Sequence, residues 1–202
     1  VDARIEAVPE TLASDAGLAY ERFAWRIRKG RREDAAALMS ERSTGLDALG
    51  RPEHWANWRR IFSREMMRDG QDTAAYALAS QHFLVEGSHF ADLEWLSGYL
   101  ALRKLKDPEL ALLHFDRFAA AVQTPISLGR AGYWRGRAEA ARGDEAASAA
   151  ADADGALYPS SDSGLLAAEA AGQPLDPTLA GLETFPQLTE SPLRQNSVLA
   201  AG

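Results

Sequence analysis

Apolar residues recur at steps of three and four along most of this 202-residue chain, and glycine or proline interrupts them at intervals. Steps of this size place apolar side chains on one face of an α-helix. Strand signals are nearly absent, because β-branched residues are sparse and do not alternate with polar ones. The chain is therefore predicted to be all-α. The three clearest stripes are Trp55, Trp58, Phe62 and Met66; Phe90, Leu93, Leu96 and Leu100; and Ala111, Phe115, Phe118 and Val122.

Helix boundaries are marked by glycine and proline. Gly30, Gly70 and Gly143 each follow a periodic run, where a residue in the left-handed conformation commonly ends a helix. Asp107-Pro108 is typical of a helix start, because the aspartate can cap and the proline fits the first helical position. These signals predict helices at about 15–29, 31–42, 52–69, 71–83, 89–106, 108–122, 125–142, 144–154 and 162–171, with a weaker one beginning near Ser191.

The predicted helices form pairs, and the pair recurs every 36 to 40 residues, counted between Gly30, Gly70, Lys106 and Gly143. The first helix of each pair is rich in Trp, Tyr and Arg, and the second is rich in alanine. Pairs of this kind stack on their neighbours to bury their apolar faces. Because the period is uneven, we predict an irregular α-superhelix of antiparallel helix hairpins, similar to tetratricopeptide repeats.

The composition changes after Gly172, where several prolines follow. We predict a superhelical domain over residues 1–172, then a Pro-rich linker and the start of a further helix over 173–202. The chain starts at Val1, with no initiator methionine and no signal-like apolar stretch. We therefore expect it to be a piece of a longer protein.

Charge and composition exclude several functions. The net charge is −7 and the pI is near 5.2, so a broad nucleic-acid surface is not expected. There is no cysteine, which rules out disulfides, thiolate metal sites and a cysteine nucleophile. No apolar run approaches the ~20 residues of a membrane span. The chain carries no cofactor motif.

The histidines and acids form no catalytic or metal-binding motif. No two histidines stand at i and i+4, and no His-Glu-x-x-His occurs, so His54, His82, His89 and His114 are predicted to be structural or surface residues. The possible acids or bases are Glu65, Asp92, Glu94 and Glu139, and none is assigned a catalytic role. Glu139 is predicted to form a surface ion network with Arg135 and Arg142, which share its helix face.

Arginines on one predicted helix are the candidate binding residues. Arg60, Arg64 and Arg68 stand at i, i+4 spacing and so share a face. The stripe is either a solvated face paired with neighbouring acids or a surface that grips carboxylates, for which the guanidinium fork is well suited.

Glycines and tryptophans are expected to serve packing. Gly129, Gly132 and Gly136 share a helix face, where each costs roughly 1 kcal/mol relative to alanine. We expect another helix to pass close to them. The five tryptophans all fall on first helices, where aromatic residues fill the seams between pairs or offer platforms for sugars; core packing is the favoured interpretation. They are Trp25, Trp55, Trp58, Trp95 and Trp134.

The most specific motif of the chain is TPISLGRAGYWRGRAEA at Thr124–Ala140, and it follows Asp92–Arg103 and Ala111–Phe115. Together these segments resemble the superhelical region of the soluble lytic transglycosylases of Gram-negative bacteria. Trp55–Arg60 with Ala75-Tyr76 resembles the preceding unit of that family, and Gly164–Glu169 resembles the segment that closes the region.

The resemblance implies a periplasmic α-superhelix that faces peptidoglycan. In that family a separate lysozyme-like domain cleaves the glycan and leaves a 1,6-anhydro product. This chain has Asp162-Ser163 where the family usually has Phe-Tyr, and Asn196 where a catalytic acid would stand in Leu193–Ser197. No catalytic residue is therefore carried over, and the catalytic domain is expected to be absent.

Two functions follow as hypotheses. The first is a non-catalytic scaffold domain of a lytic transglycosylase, which positions glycan strands with Arg60, Arg64 and Arg68 and has possible contacts to other cell-wall proteins. The second is a tetratricopeptide-like adaptor between proteins in the periplasm. A free-standing enzyme is the weakest hypothesis, because the sequence holds no motif for one.

Overall fold

The computed structural model describes residues 8–9, 12 and 14–174, and the only regular secondary structure in this part of the chain is helical, with no strand. The predicted all-α class is confirmed. The ten α-helices of this part are α1 Ala16–Arg28, α2 Arg32–Arg42, α3 Leu46–Leu49, α4 Pro52–Arg68, α5 Asp72–Ser80, α6 Gly87–Leu100, α7 Pro108–Ala121, α8 Pro125–Arg142, α9 Glu145–Ala156 and α10 Asp162–Ala170. A π-helical segment, Ala101–Leu105, continues α6.

The predicted boundary signals act as expected at most helix ends. Asp107 Oδ1 accepts a hydrogen bond of 2.9 Å from the Leu110 backbone N–H, and Pro108 occupies the first turn of α7. Gly30, Gly70 and Gly143 have φ values of 71°, 75° and 88°. This left-handed conformation strains residues with a Cβ, and it ends α1, α4 and α8.

One predicted helix end was wrong, and one short helix was missed. The helix expected to run to residue 83 ends at Ser80, because the next residues form a loop in which His82 Nδ1 accepts a bond of 3.0 Å from the Leu84 N–H. Phe83 lies there at φ 55°. The four-residue helix α3 was missed, because one helical turn is too short to show a period.

Helices adjacent in sequence pack against each other through most of the described chain: α1 with α2, α4 with α5, α6 with α7 and α8 with α9. Further contacts of α4 with α6, α7 with α8, and α8 with α10 join these pairs. The largest buried cluster lies between α1, α2, α4 and α5 and includes Phe23, Met39, Trp55, Phe62 and Leu78.

The apolar stripes predict burial well. Leu93, Leu96 and Leu100 are at most 1% exposed, and Ala111, Phe115 and Phe118 are at most 2% exposed. No helix of the described part has the length and apolar character needed to cross a membrane. The linker and the helix predicted near Ser191 lie almost wholly outside the described residues.

Candidate functional site

The arginine stripe of α4 reaches the neighbouring helix α6. Arg60 forms an ion pair with Asp92 of α6, and its Nη2 donates to Asn57 Oδ1 at 3.1 Å. Its side chain is 27% exposed. The first of the three predicted residues is thus held in place across two helices and stays open to solvent.

A second arginine, from α8, meets the same part of α6. The guanidinium carbon of Arg130 lies 5.2 Å from the ring centroid of Trp95, a cation–π distance. Asp92 and Trp95 are three residues apart and so lie on the same face of α6. Helices α4 and α8 therefore each direct an arginine to one face of α6.

Arg64 stands one turn from Arg60 on α4, and the charges of these groups act on it. Burial, which is the largest cause, lowers its pKa, and the nearby positive charges of Arg60, Arg130 and Arg68 lower it further. Asp92 is the carboxylate that acts in the opposite direction. In the part of the chain that the structure describes, Arg64 and Arg130 form no ion pair. We call Arg60, Arg64 and Arg130, with Asp92 and Trp95, the arginine face.

Arg68 is exposed at the end of α4 and also lines a groove of about 650 Å³ between α2 and α4. Arg32 crosses this groove, pairs with Glu65, and lies over the rings of Trp58 and Phe62 at 5.0 and 5.4 Å. Charges of both signs line the groove. Its other lining residues include Glu33, Ser40, Asp69 and Gln71.

A buried polar cluster lies within the fold beside α6. Glu94 is 2% exposed, and its Oε2 and Oε1 lie 2.6 Å from His114 Nδ1 and 3.1 Å from His82 Nε2. Arg117 Nη1 lies 3.7 Å from Oε1. Burial raises the pKa of Glu94, but the hydrogen bonds from His114 and His82 lower it more, and the resulting pKa is about 2. The carboxylate is therefore ionised inside the core.

One placement of hydrogens satisfies this cluster. His82 Nδ1 accepts from the Leu84 N–H, so its proton lies on Nε2 and is donated to Glu94. His114 donates from Nδ1 to Glu94, which leaves Nε2 to accept from the Tyr76 hydroxyl at 2.9 Å. Burial raises the pKa of Tyr76 and keeps its proton. The cluster joins α5, the following loop, α6 and α7 through hydrogen bonds, and its role is structural.

Arg59 is a buried charged residue that was not singled out from the sequence. It is fully buried, and Nη1 and Nη2 donate at 2.7 Å to the Leu78 carbonyl and to Ser43 Oγ. Leu78 lies in the last turn of α5, and Ser43 directly follows α2. Burial lowers its pKa to about 10. A carbonyl near the end of α5 and a hydroxyl just after α2 therefore hold the guanidinium group, at the ends of the two helices where the dipoles favour a positive charge.

A signal for Arg59 was present in the sequence. It follows Trp55 by four residues and precedes Phe62 by three, so it belongs to the apolar face of α4 rather than to the exposed arginine stripe. No comparable signal joins Glu94 to its two histidines, because they lie 12 and 20 residues away in the sequence.

The close helix contact predicted for the three glycines of α8 is confirmed. Any Cβ added to Gly132 would overlap the Gly155 backbone of α9 and lie 2.8 Å from the Ala151 carbonyl. Gly129 in the same way faces Ser161, at the start of α10, and Gly136 faces Asp152 of α9. The stripe is a packing surface.

Among the tryptophans, the core prediction is confirmed in full only for Trp55, which is fully buried and donates from Nε1 to the Leu49 carbonyl at 3.1 Å. Trp58, Trp95 and Trp134 are half-buried and pack against the core clusters with part of their surface. Trp25 is half-buried and carries Arg31 over its ring at 5.7 Å. Four tryptophans thus keep some surface open.

The predicted network around Glu139 forms only in part. Arg142 Nη2 lies 2.6 Å from Glu139 Oε2, but Arg135 pairs with Asp116 of α7 at 2.8 Å instead. That pair joins two helices, and spacing within one helix gave no indication of it.

Among the described residues, no group of three or more His, Asp or Glu side chains is arranged to hold a metal ion.

Comparisons with known proteins identify no relative. No family model, no curated protein and no solved structure matches this chain. The resemblance to lytic transglycosylases remains an expectation from the sequence, and the function is inferred from the residues of the chain itself.

Proposed function

We propose that this chain is the non-catalytic superhelical scaffold of a peptidoglycan lytic transglycosylase. In this proposal its helix pairs stack as antiparallel hairpins in the periplasm and position glycan strands for a catalytic domain. The segment Thr124–Ala140, which carries the resemblance, forms α8 except for its last two residues and contributes Arg130 to the arginine face.

The observation that most supports the proposal is the composition of the arginine face. First helices of three successive pairs, α4, α6 and α8, supply Arg60, Arg64, Trp95 and Arg130 to one region. Peptidoglycan offers carboxylates on its stem peptides and apolar faces on its sugars. Guanidinium groups bind the first and aromatic rings pack on the second.

A protein–protein adaptor is the second candidate, and the groove between α2 and α4 favours it. Arg32 and Arg68 lie there beside Glu33 and Glu65, so the groove could hold a peptide that carries both charges. An adaptor of this kind has no reason to sediment with cell-wall polymer that has been stripped of protein.

Co-sedimentation with purified sacculi tests the proposal. The parent protein is expected to sediment with sacculi at low salt and to be released as salt rises, since exposed charges act over only about 8–10 Å at 0.1–0.15 M. The triple variant Arg60→Gln, Arg64→Gln, Arg68→Gln is expected to lose most of this binding with unchanged helical content. The supernatant should contain no anhydro-muropeptides.

The matched control is the triple variant Arg28→Gln, Arg51→Gln, Arg103→Gln, which also removes three positive charges but at exposed positions outside the arginine face. It is expected to sediment like the parent. If the parent protein stays in the supernatant at all salt concentrations, the scaffold proposal fails and the adaptor takes its place.

A further inference from the structure

Three guanidinium groups from two helices lie beside α6, which supplies one carboxylate, Asp92, to them. Arg60 is bound to Asp92, Arg130 lies over Trp95, and Arg64 stands one turn from Arg60 on α4. These anchors fix Arg60 and Arg130 without using all of their donors, since each guanidinium has five N–H groups.

The charges in this region do not balance. Three arginines act unfavourably on Arg64, and one carboxylate, Asp92, acts favourably. The chain as a whole has a net charge of −7, yet among the described residues no acid forms an ion pair with Arg64 or Arg130. Like charges held together at a half-buried position are unfavourable until an anion joins them.

We infer that Arg64 and Arg130, with Arg60, form a binding site for a ligand that carries at least two carboxylates. Arg60 and Arg130 are positioned by Asp92 and Trp95, and Arg64 has no ion-pair partner among the described residues. Paired guanidinium forks bind carboxylates through two parallel hydrogen bonds. Trp95 is half-buried, so part of its side chain can contact an apolar portion of the ligand next to the charges.

This site differs from the stripe of Arg60, Arg64 and Arg68 that was predicted from the sequence. It adds Arg130, which is 66 residues from Arg64, and it does not require Arg68. Where the inference rests on the proposed function, the carboxylates are those of peptidoglycan stem peptides. A small free polycarboxylate would present the same chemistry.

Calorimetric titrations of the whole chain at low salt separate these sources. The probes are citrate, a disaccharide–tetrapeptide muropeptide, the same disaccharide without its peptide, and inorganic phosphate. Citrate or the muropeptide is expected to bind, and the bare disaccharide is not. Arg64→Gln and Arg130→Gln should each weaken that binding at least tenfold, while Arg103→Gln should change it less than twofold.

Asp92→Asn is expected to strengthen ligand binding, whereas the arginine variants are expected to weaken it. A site that exists for an anion should bind more tightly when its internal competitor for Arg60 is neutralised, by about threefold or more. A purely structural Arg60–Asp92 pair would give weaker binding or none in this variant. Thermal melts of all variants check that each one is folded.

The outcomes separate the two proposals. Citrate binding that depends on Arg64 supports the site even if sacculi do not sediment with the protein, in which case only the scaffold function fails. The inference is overturned if neither citrate nor the muropeptide binds, if the bare disaccharide binds as well as the muropeptide, if phosphate binds as tightly as citrate, or if Arg64→Gln behaves like Arg103→Gln.

Discussion

His114 donates from Nδ1 to Glu94 Oε2 over 2.6 Å, with both side chains at most 4% exposed. The bond joins α6 to α7, and His82 adds the loop before α6 to the same carboxylate. A buried carboxylate is costly unless it is paired and hydrogen-bonded, and here each oxygen of Glu94 has a histidine partner. The cluster therefore specifies how α6, α7 and the loop before α6 pack against one another.

Glu94→Gln is expected to lower the free energy of unfolding by about 1–3 kcal/mol, the cost of an unsatisfied buried group. The amide can accept from His114, but its NH₂ then faces the Nε2–H of His82. His82 cannot change tautomer, because Nδ1 must stay free to accept from Leu84. Urea unfolding measures the effect. Glu21→Gln, at an exposed position that forms no ion pair within the described part of the chain, is the control and should lie within about 0.5 kcal/mol of the parent.

The comparison of the parent with Glu94→Gln also gives a prediction of how stability depends on pH. Folding lowers the pKa of Glu94 from 4.5 to about 2, so the ionised group stabilises the fold at pH values above 4.5. That stabilisation is lost as pH falls from 4.5 toward 2, where the folded protein takes up the proton. The difference in unfolding free energy between the parent and Glu94→Gln should therefore shrink over this window. A difference that stays constant with pH would contradict the depressed pKa.

Gly132→Ala should destabilise the contact between α8 and α9 by on the order of 1–3 kcal/mol, as overpacking does. The new Cβ would meet backbone atoms of Gly155, which cannot move without shifting a helix. This outweighs the roughly 1 kcal/mol that alanine gains in helix propensity. The control is Gly45→Ala, at an extended φ of 174° with open space around it. Equal melting temperatures for the two variants would refute the close-contact explanation.

Arg59→Lys should cost about 1–3 kcal/mol although it keeps the charge. One ammonium group cannot reach both the Leu78 carbonyl and Ser43 Oγ, which Arg59 bonds through separate nitrogens. A double-mutant cycle with Ser43→Ala measures the coupling. The combined loss should be smaller than the sum of the single losses, because both changes remove the same bond. Strict additivity would show that the bond contributes nothing.

Part of the arginine face was predictable from spacing alone. Its i, i+4 spacing identified Arg60 and Arg64 as neighbours on one helix. It did not identify Arg130 or the contact with Asp92, because no period in a single helix reports which residues of α6 and α8 come to lie beside α4. In the same way, the histidines and Glu94 were seen only as separate residues, and their cluster arises where α5, α6 and α7 meet.

Local chemistry is what the sequence by itself determined: the all-α class, the apolar face of each helix, and the glycine and proline positions at which most helices begin and end. These depend on interactions within about four residues, so a linear pattern contains them. The tertiary structure alone decided which polar groups are buried together. Arg59 faces two helix ends, and Glu94 faces two histidines, because packing brings distant backbone and side-chain atoms within hydrogen-bonding distance. Desolvation then makes those contacts obligatory, and this physical effect has no signature in spacing.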